Sequence, residues 1–141
     1  MTVKFEKSEH VMNRNIETIP VERVHLTVNY YKEYLGFKLI NYVPRVGKMN
    51  YALMQIQNKT ILFESIDKGK VHGESNKIID IELNYNGEQM NSLYNNYFQK
   101  VKIIKELTKT TRGTLEFTVL DCNNIQIQFK GSNNHKEFVQ K

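Results

Sequence analysis

The sequence is poor in the residues that staple or interrupt a fold. It has one cysteine, Cys122, so no intramolecular disulfide can form and the paired-cysteine spacing of a zinc ribbon is missing. It has no tryptophan and two prolines, Pro20 and Pro44, each of which is expected to end a strand. Its apolar runs are only a few residues long, which excludes a transmembrane helix and any membrane partner of that kind. Residues 1–15 are charged and carry no apolar h-region, so no secretory signal is expected. With a single cysteine, this points to a reduced, cytoplasmic setting. Arginine is scarce as well, 4 against 16 lysines, and the lysines are scattered. Nucleic-acid readers concentrate Arg for bidentate base contacts and interleave it with aromatics. The net charge of +5 therefore reads as solvated lysine, and no nucleic-acid partner is expected.

What is present is ordinary globular usage: 141 residues, 40% apolar, 11% aromatic and 25% charged. That composition excludes a disordered chain and fits one domain or two small modules sharing a core. Residues 1–15 read as a polar arm. Ile16 to Val21 reads as a strand. Val24, Val28, Tyr31 and Leu35 recur at helical spacing, and Gly36 follows where a helix end favours positive φ. Strands are expected over Phe37 to Val43, Met49 to Gln57 and Thr60 to Ser65, followed by a polar connector, 67–76. The order then starts again. Ile79, Ile81 and Leu83 alternate with Asp80, Glu82 and Asn84, as in a half-buried strand. Asn86-Gly87 marks a turn, and Met90, Leu93, Tyr94, Tyr97 and Phe98 lie on a second amphipathic helix. Three more strands follow over Val101 to Leu107, Thr114 to Leu120 and Ile125 to Phe129. A tight turn, Asp121 to Asn124, joins the last two.

The pattern is βαβββ twice, over 16–66 and 77–130, with a polar tail at 131–141. The fold class is α+β, two such modules forming a curled mixed sheet around a cleft. Tyr30-Tyr31 and Leu93-Tyr94 match at one spacing, and Leu53 and Phe117 at a spacing one residue longer. Alternation assigns the sheet faces. Leu115, Phe117, Val119, Ile125, Ile127 and Phe129 are expected to face the second helix, with Glu116, Thr118, Gln126 and Gln128 turned away. In the first copy Tyr51, Leu53, Ile61 and Phe63 are expected to face the helix. Ala52, Met54, Ile56, Leu62 and Glu64 are expected to face away, as are Asp80 and Glu82 in the second copy. One wall of the cleft is then largely apolar and the other polar and acidic, which suits a small ligand.

Two segments resemble a known family. Tyr30-Tyr31-Lys32-Glu33-Tyr34-Leu35-Gly36-Phe37 is similar to the helix end of the vicinal oxygen chelate superfamily, which includes glyoxalase I, bleomycin-resistance proteins, fosfomycin-modifying enzymes and extradiol dioxygenases. Arg112-Gly113-Thr114-Leu115-Glu116-Phe117, followed by Val119 to Asn124, resembles its closing strand and turn. Here Cys122 stands for the usual Pro and Asn124 for the usual Gly, and Asn accepts the left-handed conformation. The likeness covers about residues 16–130.

The resemblance implies ligands on the first and last strands of each copy, where metal-dependent members hold a divalent ion that polarises substrate oxygens. Carried onto this chain, the last-strand positions are Glu64 and Gln128. The first-strand positions are Ile16 or Glu17, and Ile79 or Asp80, of which alternation favours Asp80. None of these positions is histidine. His10 and His135 fall in the ends of the chain, His72 in the connector and His25 at the start of the first helix. A first-row transition-metal site is therefore not expected. Two readings stay open. In the first, a metal-free cleft binds a small organic molecule without a cofactor, lined by Glu17, Met54, Leu62, Glu64, Asp80, Glu82, Arg112, Glu116, Thr118, Gln126 and Gln128. In the second, Glu17, Glu64, Asp80 and Gln128 hold a hard divalent cation, and the chain is a lyase, isomerase or transferase of the glyoxalase I type. Either Asp80 or Glu82, if the two were buried together, could act as an acid or base. Arg112 could hold an anionic group. Bleomycin-resistance-like members place their clefts between subunits, so the resemblance implies a homodimer.

Overall fold

The computed structural model describes residues 16–45, 48–66 and 78–132. The expected arm at 1–15, the connector at 67–76 and residues 133–141 of the tail lie outside the described residues, and His10, His72 and His135 with them. The fold is α+β, and the chain divides into two compact units, Met1–Gly73 and Glu74–Lys141.

In the first unit β1 (Ile16–Val21) leads into α1 (Val24–Glu33), then β2 (Lys38–Arg45), β3 (Lys48–Ile56) and β4 (Lys59–Ser65). The sheet order is β1-β4-β3-β2, with β1 parallel to β4 and the other pairs antiparallel. Both prolines lie on edge strands, where a missing backbone donor breaks no ladder. Pro44 therefore does not stop β2. The strand runs through it to Arg45, with a register shift between Val43 and Pro44. Helix α1 buries Val24, Thr27, Val28 and Tyr31. It gives way to Gly36 at φ +78°, a left-handed residue that lets the chain turn back into β2. Tyr31 is fully buried, edge-on to Phe37 (ring centres 5.0 Å apart) and to Phe63 (4.9 Å). Such pairs add about 0.5–1.5 kcal/mol each beyond the area they bury.

The second unit repeats the order: β5 (Ile78–Glu82), α2 (Gly87–Phe98), β6 (Lys102–Lys109), β7 (Thr114–Leu120) and β8 (Gln126–Ser132), with sheet order β5-β8-β7-β6. Asn86-Gly87 opens the helix, because Asn86 closes a capping box. Its side chain accepts from the Gln89 N–H (2.8 Å), and Gln89 Oε1 accepts from the Asn86 N–H (2.9 Å). Between β7 and β8, Asp121 Oδ1 accepts from the N–H groups of Asn123 (2.7 Å) and Ile125 (2.9 Å). Asn124 takes φ +64°, the conformation its amide side chain tolerates. Strand β8 continues through Lys130 and Gly131 to Ser132, three residues past the end read from alternation, because Ser132 N–H bonds to the Tyr85 carbonyl.

Tyr97, Phe117 and Phe129 form the core under α2, with ring centres 5.2–6.0 Å apart. Burial, with Tyr85 close by, pushes the Tyr97 phenol well above its ordinary pKa. The packing corrects the match between the copies. Tyr31 on Phe63, beside Ile19, corresponds to Tyr97 on Phe129, beside Ile81. Tyr94, the partner suggested by sequence spacing, instead packs on Phe117.

Candidate functional site

Cross-strand partners point their side chains to the same face of a sheet, so the register assigns faces without appeal to hydropathy. In the second unit Phe117 pairs with Phe129 and Val119 with Ile127, on the side of α2. Glu116, Thr118, Gln126 and Gln128 lie on the opposite, open face, as alternation predicts. Asp80 is the register partner of Gln128, and Glu82 that of Lys130, so both acids share that face. Asp80 and Glu82 are exposed there, so they do not form a buried acid pair. Glu116, Gln126 and Gln128 are half-buried and Thr118 is buried.

The first unit differs from expectation. Phe63 faces α1 through Tyr31, and its partner on β3 is Ala52; Ile61 pairs with Met54 and Lys59 with Ile56. Ala52, Met54 and Ile56 therefore lie on the helix side. Met54 is completely buried and is no cleft residue. Tyr51, Leu53 and Gln55 take the open face, paired with Glu64, Leu62 and Thr60. The cause is the apolar run Tyr51-Ala52-Leu53-Met54, in which alternation carries no phase. Leu62 and Glu64 are on the open face, half-buried, as expected.

Glu17 is also corrected. It is the partner of Ile61 and so lies on the helix side. Its carboxylate accepts from Lys59 Nζ at 3.1 Å, an ion pair joining β1 to β4. Arg112 is exposed in the turn between β6 and β7, and its backbone N–H donates to Thr110 Oγ1 at 3.2 Å.

The open face of the second sheet carries a connected set of side chains. Thr114 Oγ1 donates to Glu116 Oε2 (3.2 Å) and Gln128 Nε2 donates to Glu116 Oε1 (3.2 Å). Thr110 and Thr114 hydroxyls meet at 2.7 Å. Sequence alternation placed Glu116 and Gln128 on this face but passed over Thr114 and Thr110. The signal available was the i, i+2 spacing of Thr114 and Glu116, which puts both on one side of a strand. Elsewhere, a concavity of about 390 Å³ runs along α2, lined by Tyr85, Glu88, Gln89, Ser92, Leu93 and Asn96. It includes none of the site residues expected from the sequence.

The fold type implies a divalent ion in some members, and the donors among the described residues do not fit one. The four oxygen donors suggested by the resemblance are not one set: Glu17 faces the helix side and is paired with Lys59, and the Gln128 amide is turned to Glu116. Among the described residues no three His, Cys, Asp or Glu side chains cluster as a metal site would need. Among those residues, too, no helix is long and apolar enough to cross a membrane.

No family model matches the chain, and no curated protein matches it in sequence. Solved structures do match in fold. TioX from Micromonospora sp. ML1 superposes with TM-score 0.70 at 12% identity, over 83% of this chain and 96% of that one. A glyoxalase/bleomycin resistance protein/dioxygenase from Alicyclobacillus acidocaldarius gives 0.63 at 16% identity, over 86% and 92%. TnmS3, an antibiotic binding protein from Streptomyces sp. CB03234, gives 0.65 at 12% identity, over 84% and 94%. These likenesses show the fold, two βαβββ modules, shared with a glyoxalase/bleomycin resistance protein/dioxygenase structure.

Proposed function

We propose that the protein binds a small organic molecule on the open face of its second sheet, without a metal cofactor. The observation that carries the reading is the face of the second sheet turned away from α2. It presents Glu116, Thr118, Gln126 and Gln128 in register, half-buried or buried, with the polar groups of Glu116 and Gln128 directed by neighbouring side chains. The open face of the first sheet, taken by itself, pairs Leu53 with Leu62 and Tyr51 with Glu64, apolar area with one acid. Few polar groups among apolar ones is the lining expected of a small-molecule site. The likeness to TnmS3, an antibiotic binding protein, supports the class of activity. Among the described residues the lack of a fitting donor set weighs against the lyase, isomerase or transferase reading. Sequestration needs no chemical step, and these residues supply what it needs, which is hydrogen-bonding positions and apolar area.

A thermal-shift screen of amphipathic organic molecules, repeated with Mn²⁺, Ni²⁺ or Zn²⁺, tests this. A ligand at 100 times its Kd stabilises by about 2.7 kcal/mol, roughly 5–15 °C in Tm for a chain of this size. The expected result is such a shift with no dependence on metal, reduced by Gln128→Ala. A screen with no hit, or saturable turnover that appears only with metal, refutes the proposal. We further propose a cytoplasmic homodimer; a monomer mass in light scattering would refute the dimer.

A further inference from the structure

We infer that the Glu116 carboxylate anchors a cationic group of the bound molecule, a protonated amine or an amidinium, with Thr114 and Gln128 as positioning residues. This rests on the small-molecule reading above and narrows it to a chemical class. The hydrogen bonds around Glu116 have one consistent direction. The single Thr114 hydroxyl proton goes to Glu116 Oε2, so in the 2.7 Å contact between the two threonines it is Thr110 that donates. Thr110 Oγ1 can spend its proton that way because it accepts from the N–H groups of Arg112 and Thr114, each at 3.2 Å. The turn between β6 and β7 thus orients two hydroxyls in series toward the carboxylate. Gln128 Nε2 reaches its other oxygen from β8.

These donors hold the carboxylate without cancelling its charge. Thr114 and Gln128 are neutral, and both contacts are 3.2 Å. That is longer than the roughly 2.7–2.9 Å of a bond between an ionised donor and a carboxylate. A carboxylate has about four acceptor directions, and two are used, one on each oxygen. The remaining two suit a planar amidinium or a primary ammonium. The charged side chains of neighbouring strands do not fill them. Lys130 is the register partner of Glu116 on β8, yet it forms no ion pair with it among the described residues. Thr108, the partner on β6, is uncharged. The same face carries Asp80 and Glu82 on β5 and, of opposite sign, Lys130 on β8 and Lys105, the partner of Thr118 on β6; neither lysine is ion-paired with Glu116 among the described residues. A half-buried carboxylate fixed in place costs a cationic ligand little reorganisation, and part of the desolvation is already met by the fold.

The test uses the full chain and two probes of nearly equal shape, benzamidine (an amidinium at pH 7) and neutral benzamide, titrated by amide chemical shift. Benzamidine is expected to bind at least tenfold more tightly, with shifts centred on Thr114 to Thr118 and Gln126 to Gln128. The preference should weaken with added salt and vanish in Glu116→Gln. Gln128→Leu should weaken benzamidine by a larger factor than benzamide, so that the ratio between the two probes falls, a split that a merely structural role would not produce. Equal affinity for the two probes, a preference that survives Glu116→Gln, or no shift on β7 and β8 with either probe overturns the inference. If a neutral screen hit binds these strands while benzamidine shows no preference, the cationic anchor is lost and small-molecule binding stands.

Discussion

Gly131 offers a direct measure of how closely α2 lies on its sheet. It sits on β8 opposite Leu115, on the helix side. A Cβ built there would lie 2.4 Å from Met90 Sδ and 2.5 Å from Met90 Cγ, with the Tyr85 carbonyl oxygen at 3.2 Å. Met90 is fully buried, so its chain cannot swing into solvent. Overpacking of this kind costs about 1–3 kcal/mol. Replacing glycine with alanine at an ordinary φ returns about 0.4–1 kcal/mol by restricting the unfolded chain. Gly131→Ala should therefore destabilise by about 1–2 kcal/mol. Met90→Ala alone should cost about 2–5 kcal/mol, because it opens a cavity under the helix. In that background the new methyl enters empty space, and only the Tyr85 carbonyl still crowds it, so the second substitution should cost nothing or slightly stabilise. The coupling is then about 1–3 kcal/mol, well beyond the near-additivity of independent sites. Urea titration of the four proteins measures it, since at a slope of about 1–3 kcal/mol per molar the single variant moves the midpoint by several tenths of a molar or more. A neutral Gly131→Ala, or an equal penalty in both backgrounds, would show that this glycine does not face Met90 and that the register of β8 is misassigned.

Three further predictions concern local devices. Asn86→Ala removes the acceptor for the Gln89 N–H and should cost about 1 kcal/mol in urea unfolding; Asn86→Asp should cost little. Tyr97 keeps its proton in the folded state above the pH, about 10, at which the unfolded chain loses it. Its contribution is thus constant below pH 10 and falls by about 1.4 kcal/mol per pH unit above it, up to the raised folded value. Midpoints of the native protein and Tyr97→Phe, compared from pH 8 to 11.5, should diverge only above pH 10. Glu17→Gln should change stability by less than about 1 kcal/mol, because the Lys59 pair is partly solvated, and should leave the affinity of any ligand of the open face unchanged. A large loss of binding would return Glu17 to the site.

The second module was the more legible from residues alone. Thr114 to Leu120 and Gln126 to Phe129 alternate cleanly between apolar and polar, so both faces followed from spacing, and with them the positions of Glu116 and Gln128. The turn at Asp121 to Asn124 was also readable, because Asp bonds its own backbone and Asn accepts positive φ. The order βαβββ, repeated, needed only helical and strand periods with glycine at one helix end. Alternation failed where neighbours were alike. Four consecutive apolar residues, Tyr51 to Met54, satisfy either face, and the choice came from the hydrogen-bonded pairing of β3 with β4. For Glu17, a charged residue on a short edge strand, the face came from pairing with β4, and Lys59 met its charge. The direction of the hydrogen bonds from Thr110 to Glu116 likewise arises between a turn and a strand. Local sequence carries periodicity, and periodicity names a face only when polarity varies along the strand. Register and side-chain partners are set between segments far apart in the chain, so they emerged only once the sheets had formed.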